Sequence, residues 1–233
     1  MKARGDILLV GSNGLIGRLA APLLLAHTRK SKQTLFAPVR SPAKIKHKRL
    51  VSIVGAFDDD SSDSRIESAL RERKAALGVF LCALGTTMAN AGSQSAFAAI
   101  DRDLVLHLAA LALRHGAQHA VVVSSVGADA GASNFYLRTK GRMERDLSGL
   151  GFSRCDFLHP GLLLGARDGQ QRFGEGLAQK LSGLYNPMLA GPLRRYRAIP
   201  ANTVAAAFAK LAFATGEGVH RHEFDGLNLL AAE

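Results

Sequence analysis

The feature that most constrains the fold of this chain is a glycine-rich loop between an apolar run and a helical pattern. The apolar run Ile7–Val10 leads directly into the loop, and a helix is predicted over Leu15–Ala26. The loop consists of Gly11, Ser12, Asn13, Gly14, Leu15, Ile16 and Gly17. In this order the first glycine permits a tight turn, the second lets the backbone approach a pyrophosphate, and the third lets helix and strand pack closely. The helix N-terminus adds free N–H groups and a positive dipole end, so the loop predicts a dinucleotide-binding unit.

Short apolar runs alternate with helical patterns along the rest of the chain. Strands are predicted over Ile7–Val10, Thr34–Val39, Leu50–Val54, Val79–Leu84, Ala120–Ser124, Cys155–Leu158 and Glu223–Leu227. Helices are predicted over Leu15–Ala26, Arg65–Ala75, Ala96–His115, Tyr136–Leu147 and Asn202–Ala214, and a capping box at Ser64 and Glu67 is predicted to start the second of them. This alternation favours an α/β fold, namely a single Rossmann-type doubly wound parallel sheet with helices on both faces.

We expect residues 1–233 to form one NAD(P)-binding domain, because a chain of this length suits one large α/β core. Residues 166–200 lack a clear period and are rich in Gly, Arg and Pro, so they are predicted to form a small C-terminal substrate lid.

The positive charge of the chain is concentrated in its first 50 residues. This segment holds eleven Lys or Arg and one acid, Asp6, which accounts for +10 of the net charge of +11. Such asymmetry indicates an anionic partner, either a phosphorylated cofactor, a nucleic acid or a membrane surface.

Arg40 favours the phosphorylated cofactor. It follows the second predicted strand, where NAD sites usually place Asp or Glu and NADP sites place Arg, and no acid lies nearby. A guanidinium can pair with the 2′-phosphate through two hydrogen bonds. We therefore expect NADP(H). No nucleic acid is expected, since the basic cluster lacks interleaved aromatic residues and lies where the 2′-phosphate belongs.

A tyrosine–lysine pair supplies candidate chemistry. Tyr136 and Lys140 are four residues apart on a predicted helix, hence on one face, and the preceding strand ends in Ser124 and Ser125.

Several segments together resemble the short-chain dehydrogenase/reductase superfamily. They are the glycine loop, Val123-Ser124-Ser125, the run from Tyr136 to Lys140, and His159-Pro160-Gly161. Three further segments are similar to the atypical, Tat-interactive-protein-like subgroup and its bacterial relatives: Cys82 to Thr87, Ile100 to Asp103 and Ser124 to Asp129. The resemblance covers nearly the whole chain and is densest from 79 to 165.

The resemblance implies a role for each residue. Tyr136 would be the general acid that protonates a substrate carbonyl, and Lys140 would bind the nicotinamide ribose and lower the pKa of the tyrosine. Ser125, or alternatively Ser124, would polarise the carbonyl. The residues expected to bind the cofactor, besides the glycine loop, Arg40 and Lys140, are Leu84, Gly85, Pro160 and Gly161. Bringing a tyrosine from its usual pKa towards neutrality requires about 4 kcal/mol, which a desolvated neighbouring cation could largely supply.

Two functions remain open from the sequence. The first is an NADP(H)-dependent oxidoreductase that acts on a small carbonyl or alcohol. The second is an NADPH-binding regulatory protein with a protein partner and little or no turnover, and fold alone does not separate the two. No metal site and no membrane partner is expected. The N-terminus lacks a signal-peptide cleavage pattern, so a cytoplasmic location is expected.

Overall fold

Seven parallel strands form one sheet in the computed structural model, which describes residues 5–42, 45–56, 61–165 and 189–232. The strands are β1 (Asp6–Val10), β2 (Leu35–Val39), β3 (Leu50–Val54), β4 (Leu77–Cys82), β5 (His119–Val123), β6 (Arg154–Leu158) and β9 (Gly218–His222). Their order across the sheet is β3-β2-β1-β4-β5-β6-β9. A second, two-stranded sheet pairs β7 (Leu163–Leu164) with β8 (Ile199–Pro200). The strand order reverses between β1 and β4, and ligands of such sheets bind at the carboxyl ends of the strands at this point.

Helices connect the strands. They are α1 (Leu15–Ser31), α2 (Ser61–Glu72), α3 (Met88–Ala91), α4 (Gln94–Ala98), α5 (Leu104–Arg114), α6 (Phe135–Ser148), α7 (Ala201–Leu211) and α8 (Phe224–Ala232). A π-helical turn, Ala99–Asp103, joins α4 to α5, and a 3-10 helix covers Gly191–Tyr196.

Two hydrophobic clusters lie on opposite faces of the sheet. Successive residues of β1 enter different clusters, because neighbouring side chains of a strand point to opposite faces. Leu9 packs with residues of α1 and α7, whereas Leu8 packs with residues of α2, α5 and α6. This confirms the prediction of a doubly wound parallel sheet with helices on both faces.

A buried carboxylate links the three strands at one side of the sheet. Asp156 on β6 is fully buried, and its oxygens lie 2.7 Å from Nε2 of both His119 on β5 and His222 on β9. Arg154 also donates to it. Burial by itself would raise the pKa of Asp156, but these hydrogen bonds hold it well below its usual range.

Some predicted boundaries are wrong. The segment 223–227 was predicted as a strand, but the last strand is Gly218–His222 and a helix covers Phe224–Ala232. The true strand lies at the sheet edge with one face in solvent, so it carries polar residues and lacks the apolar run typical of a buried strand. Helix α2 begins at Ser61, which places Ser64 inside the helix and excludes the predicted capping box.

The first helix is longer than predicted. It continues through Pro22 to Ser31, and Pro22 lies on its exposed side. Of the predicted lid at 166–200, residues 166–188 lie outside the described residues. The remainder forms the 3-10 helix and β8.

Candidate cofactor cleft and active site

The glycine loop follows β1 at the carboxyl edge of the sheet. Gly11 has φ +82°, and a Cβ at this position would lie 2.6 Å from the carbonyl carbon of Ala83, in the segment after β4. A Cβ at Gly17 would overlap the Gly11 carbonyl oxygen. Gly14 is different, since it has φ −76° and a Cβ there would meet nothing closer than 3.2 Å. The outer two glycines are therefore required by packing, whereas the packing of the protein itself does not require a glycine at position 14.

The start of α1 is prepared for an anion. Gly14 is the N-cap residue and provides no side-chain cap, so the first-turn N–H groups of the helix have no side-chain acceptor at this position. The buried hydroxyl of Ser12 has no hydrogen-bond partner among the described residues. Unpaired donors and a positive helix end together fit the pyrophosphate of a dinucleotide.

Cations lie beside this loop. Arg40 is exposed directly after β2, and the neighbouring Ser41 carbonyl accepts a 2.9 Å hydrogen bond from Nδ2 of Asn13. This bond fixes the segment that carries Arg40 against the glycine loop. Arg18, in the first turn of α1, lines a cleft that runs past this loop.

One cleft joins the glycine loop to the tyrosine–lysine pair. It is lined by Asn13, Gly14, Leu15, Ile16, Arg18, Ala83, Leu84, Gly85, Thr86, Asp101, Val123, Ser124, Tyr136, Lys140 and Leu163. The structure thus brings Asn13 to Ile16, Leu84 and Gly85 of the predicted cofactor site together with both members of the pair. The predicted residues that do not line the cleft are Gly11, Ser12, Gly17, Arg40, Ser125, Pro160 and Gly161. A Cβ at Gly161 would lie 2.5 Å from the Arg197 carbonyl oxygen.

The two candidate serines have different surroundings. Ser124 lines the cleft, is buried, and donates its hydroxyl proton to Oε1 of Glu144. Ser125 is half-buried, and its hydroxyl makes a weak 3.3 Å bond to the Val126 carbonyl. Ser125 was the first choice for the serine of the cleft wall, but the hydroxyl at that wall belongs to Ser124.

A buried acidic residue that sequence reasoning missed organises this wall. Glu144 is 2% exposed, and its Oε1 lies 2.7 Å from Nε2 of His159. Its Oε2 accepts a 3.0 Å bond from Nε of Arg221 on β9. These hydrogen bonds offset the cost of burying the Glu144 carboxylate away from water. Its position one helical turn after Lys140 was the available signal, since i and i+4 share a face.

Lys140 is also paired. Its Nζ lies 2.8 Å from Oδ1 of Asp101, and the side chains are 4% and 0% exposed. Burial is the largest effect and would lower the pKa of the Lys140 ammonium, but Asp101, together with Tyr136 and Cys82, raises it above the ordinary value. Sequence reasoning used Asp101 only as a mark of family resemblance, because its partner is distant in the chain.

A family model described as NAD(P)H-binding matches residues 11–174, which include the glycine loop, the tyrosine–lysine pair and Asp101. The chain belongs to this NAD(P)H-binding family. Protein FMP52, mitochondrial, from Eremothecium gossypii is 38% identical over 180 residues, 77% of this chain and 76% of the relative. Protein HTATIP2 from Rattus norvegicus is 31% identical over 216 residues, 91% of this chain and 83% of the relative. The resemblance to Tat-interactive-protein-like proteins that the sequence predicts is confirmed by this relative.

Solved structures agree with this fold. A short-chain dehydrogenase/reductase from Saccharomyces cerevisiae superposes with a TM-score of 0.70 at 14% identity, over 97% of this chain and 99% of that one. MoeE5 in complex with UDP-glucose and NAD gives a TM-score of 0.64 at 16% identity, over 94% of this chain and 76% of that one.

The expected cytoplasmic location is contradicted. Several relatives, including those from Eremothecium gossypii and Meyerozyma guilliermondii, are named mitochondrial. The inference failed because the lack of a secretory cleavage pattern excludes only one route and carries no information about the others. No helix in the described ranges is both long and apolar enough to cross a membrane.

Proposed function

We propose that this protein is an NADP(H)-dependent oxidoreductase that reduces a small carbonyl compound or oxidises the matching alcohol. The observation that carries the proposal is a single cleft lined by the glycine loop at one part and by Tyr136 and Lys140 at another. When bound, the cofactor supplies or accepts the hydride. The protein's own residues bind the dinucleotide, hold the substrate and move the proton.

Tyr136 is the proton donor in this proposal. Its hydroxyl lies in the cleft and is suited to deliver a proton to a substrate oxygen. Lys140 would hydrogen-bond the nicotinamide ribose. Ser124 supplies the third group. Because its proton is donated to Glu144, Ser124 offers the cleft an oxygen acceptor, which suits the hydroxyl of Tyr136 or of an alcohol substrate.

The preference for NADP(H) rests on Arg40. The Asn13–Ser41 bond holds Arg40 beside the glycine loop, and no acidic residue lies between 35 and 42 to accept from a free ribose hydroxyl. A charge-assisted pair with the 2′-phosphate is worth about 1.5–3 kcal/mol, or at least tenfold in affinity.

Fluorescence titration of both cofactors tests this preference. Arg40→Ala should weaken NADPH binding at least tenfold and leave NADH binding nearly unchanged. Arg73→Ala is the matched control, because it removes the same charge from an exposed position outside the basic segment. Equal affinity of the unsubstituted protein for NADH and NADPH would contradict the assignment.

Turnover separates the enzyme from the regulatory protein. The enzyme should oxidise NADPH with at least one member of a panel of small aldehydes and ketones, and Tyr136→Phe should abolish this while NADPH still binds. Tight NADPH binding with no turnover that depends on Tyr136 would favour the regulatory function. The observation that favours the regulatory function is the contact between Asp101 and Lys140, because the carboxylate offsets the positive charge next to the tyrosine.

A further inference from the structure

The segment between β4 and β5 packs against α6, the helix of Tyr136 and Lys140, through two residues that have the same spacing as that pair. Phe97 and Asp101 are four residues apart, as are Tyr136 and Lys140. The rings of Phe97 and Tyr136 have centroids 5.5 Å apart, and Asp101 contacts Lys140 at 2.8 Å. Two pairs at helical spacing therefore meet across the interface between the segment 94–103 and α6.

A third contact extends this alignment along α6. Arg102, next to Asp101 in the π-helical turn, donates from Nη2 to Oδ2 of Asp146 at 2.8 Å. Its hydrogen bonds help to hold the pKa of Asp146 below its usual value, although partial burial acts in the opposite direction. Asp101 and Arg102 are consecutive residues of this π-helical turn, and both contact α6.

Asp101 also contacts the cofactor cleft. Its Oδ2 accepts a 2.8 Å hydrogen bond from the backbone N–H of Thr86, which lies in the segment after β4 that lines the cleft. One carboxylate thus connects the wall of the cleft through Oδ2 to the Lys140 ammonium through Oδ1.

We propose that Asp101 is a positioning residue of the active site: it holds the Lys140 ammonium at the cleft wall, as Phe97 supports the ring of Tyr136. The catalytic part of this inference rests on the proposed function, but the holding of the lysine does not. A buried ammonium without a carboxylate partner gives up its proton, so Asp101 determines whether Lys140 carries a charge at neutral pH.

Among the residues that the structure describes, the charged and titratable groups that face Lys140 are Asp101 from the π-helical turn, Tyr136 from its own helix and Cys82 from β4. Asp101 contacts Lys140 directly, and burial raises the pKa of Cys82 to about 12, so the thiol is uncharged at neutral pH. Removing the Asp101 carboxylate therefore leaves Lys140 buried without a charged partner from this set at neutral pH.

The experiment compares Asp101→Asn with Asp103→Asn in the full-length protein. Asp103 lies two residues away in the same turn but its side chain is 59% exposed, which makes it a matched control. The titration of Lys140 is followed by NMR with ε-carbon-13 lysine, and its signal among those of the ten lysines is assigned by its loss in Lys140→Met. Asp101→Asn should bring the pKa of Lys140 from above its ordinary value to below neutral pH, and Asp103→Asn should leave it unchanged.

Lys140 that titrates in Asp101→Asn as it does in the unsubstituted protein would overturn the proposal. If turnover is present, its rate in Asp101→Asn should be low at neutral pH and recover as the pH falls and Lys140 regains its proton. If the unsubstituted protein has no turnover while the NMR shift is observed, the proposed function fails and the role of Asp101 stands.

If Asp101→Asn folds poorly, a second variant tests the proposal. Asp101→Asn/Lys140→Met removes both charges and keeps an oxygen acceptor for Thr86, so it should fold better than the single variant. A double variant that is as unstable as the single one would also overturn the proposal, because Asp101 would then act independently of Lys140.

Discussion

Gly14 and Gly17 lie three residues apart, yet alanine should act on them in opposite ways. At Gly17 a methyl group would lie 2.7 Å from the Cα of Ser12 and would overlap the Gly11 carbonyl oxygen. These are backbone atoms of the adjoining loop, which cannot rotate away. Helix α1 would have to move away from β1, and overpacking of this kind costs about 3 kcal/mol.

At Gly14 the same methyl group is tolerated by the fold. The φ of −76° is ordinary for alanine, and the nearest atom, the Gly11 carbonyl oxygen, is 3.2 Å away. The reduced entropy of the unfolded chain favours alanine by about 0.4–1 kcal/mol and offsets the tight contact. Alanine is a poorer N-cap residue than glycine by about 1 kcal/mol, which roughly cancels this gain, so stability should change by less than about 1 kcal/mol.

The affinity for the cofactor should be reduced more by Gly14→Ala than by Gly17→Ala. Gly14 lines the cleft at the N-terminus of α1, so a methyl group there holds the pyrophosphate away from the first-turn N–H groups. Loss of one hydrogen bond to a charged group costs about 1.5–3 kcal/mol, which raises the Kd for NADPH about tenfold to a hundredfold.

Thermal unfolding and NADPH fluorescence titration measure both effects in the same samples. Gly17→Ala should lower the Tm by about 6–12 °C, whereas Gly14→Ala should keep the Tm and lose affinity. Unchanged NADPH affinity in Gly14→Ala would refute the assignment of this loop to the pyrophosphate. Unchanged stability in Gly17→Ala would refute the packing argument.

Two other predictions concern buried side chains on the strands of the sheet. Asp156→Asn should lower the free energy of unfolding by about 3 kcal/mol or more at pH 7, because it leaves the partners of a buried carboxylate unpaired. The pKa of Asp156 is depressed in the native state, so its contribution is present above about pH 4 and fades below it. Denaturant titrations at several pH values should show the variant approaching the unsubstituted protein in acid, and Asp225→Asn, in an exposed pair, should change little. Burial raises the pKa of Cys82 to about 12 and of Cys155 to about 11, so both thiols should react with Ellman's reagent only after denaturation. Rapid reaction of either thiol in the native protein would contradict their burial.

Local patterns in the sequence were sufficient for the parallel sheet and for the position of the cofactor cleft. The order of strand, glycine loop and helix from Ile7 to Gly17 is a property of one continuous segment, and the structure reproduces it. The spacing of Tyr136 and Lys140 likewise predicts a shared helical face, and both residues line the cleft.

The last strand shows where local patterns fail. Gly218–His222 has an exposed face, and its composition does not distinguish it from a loop. It forms a strand because β6 offers it a complete set of backbone partners. The apolar sequence that follows was mistaken for the strand, since short apolar runs fit either a buried strand or a helix.

The charges around the active-site pair were decided by tertiary structure. Asp101 reaches Lys140, and Arg221 reaches Glu144, across segments that are far apart in the chain. These contacts exist because the sheet order places α6 beside the π-helical turn and β9 beside β6. Sequence spacing determined which side chains share a helix face. Only the packing of separate elements determined that the lysine cation has a carboxylate partner and that Ser124 is the serine of the cleft wall.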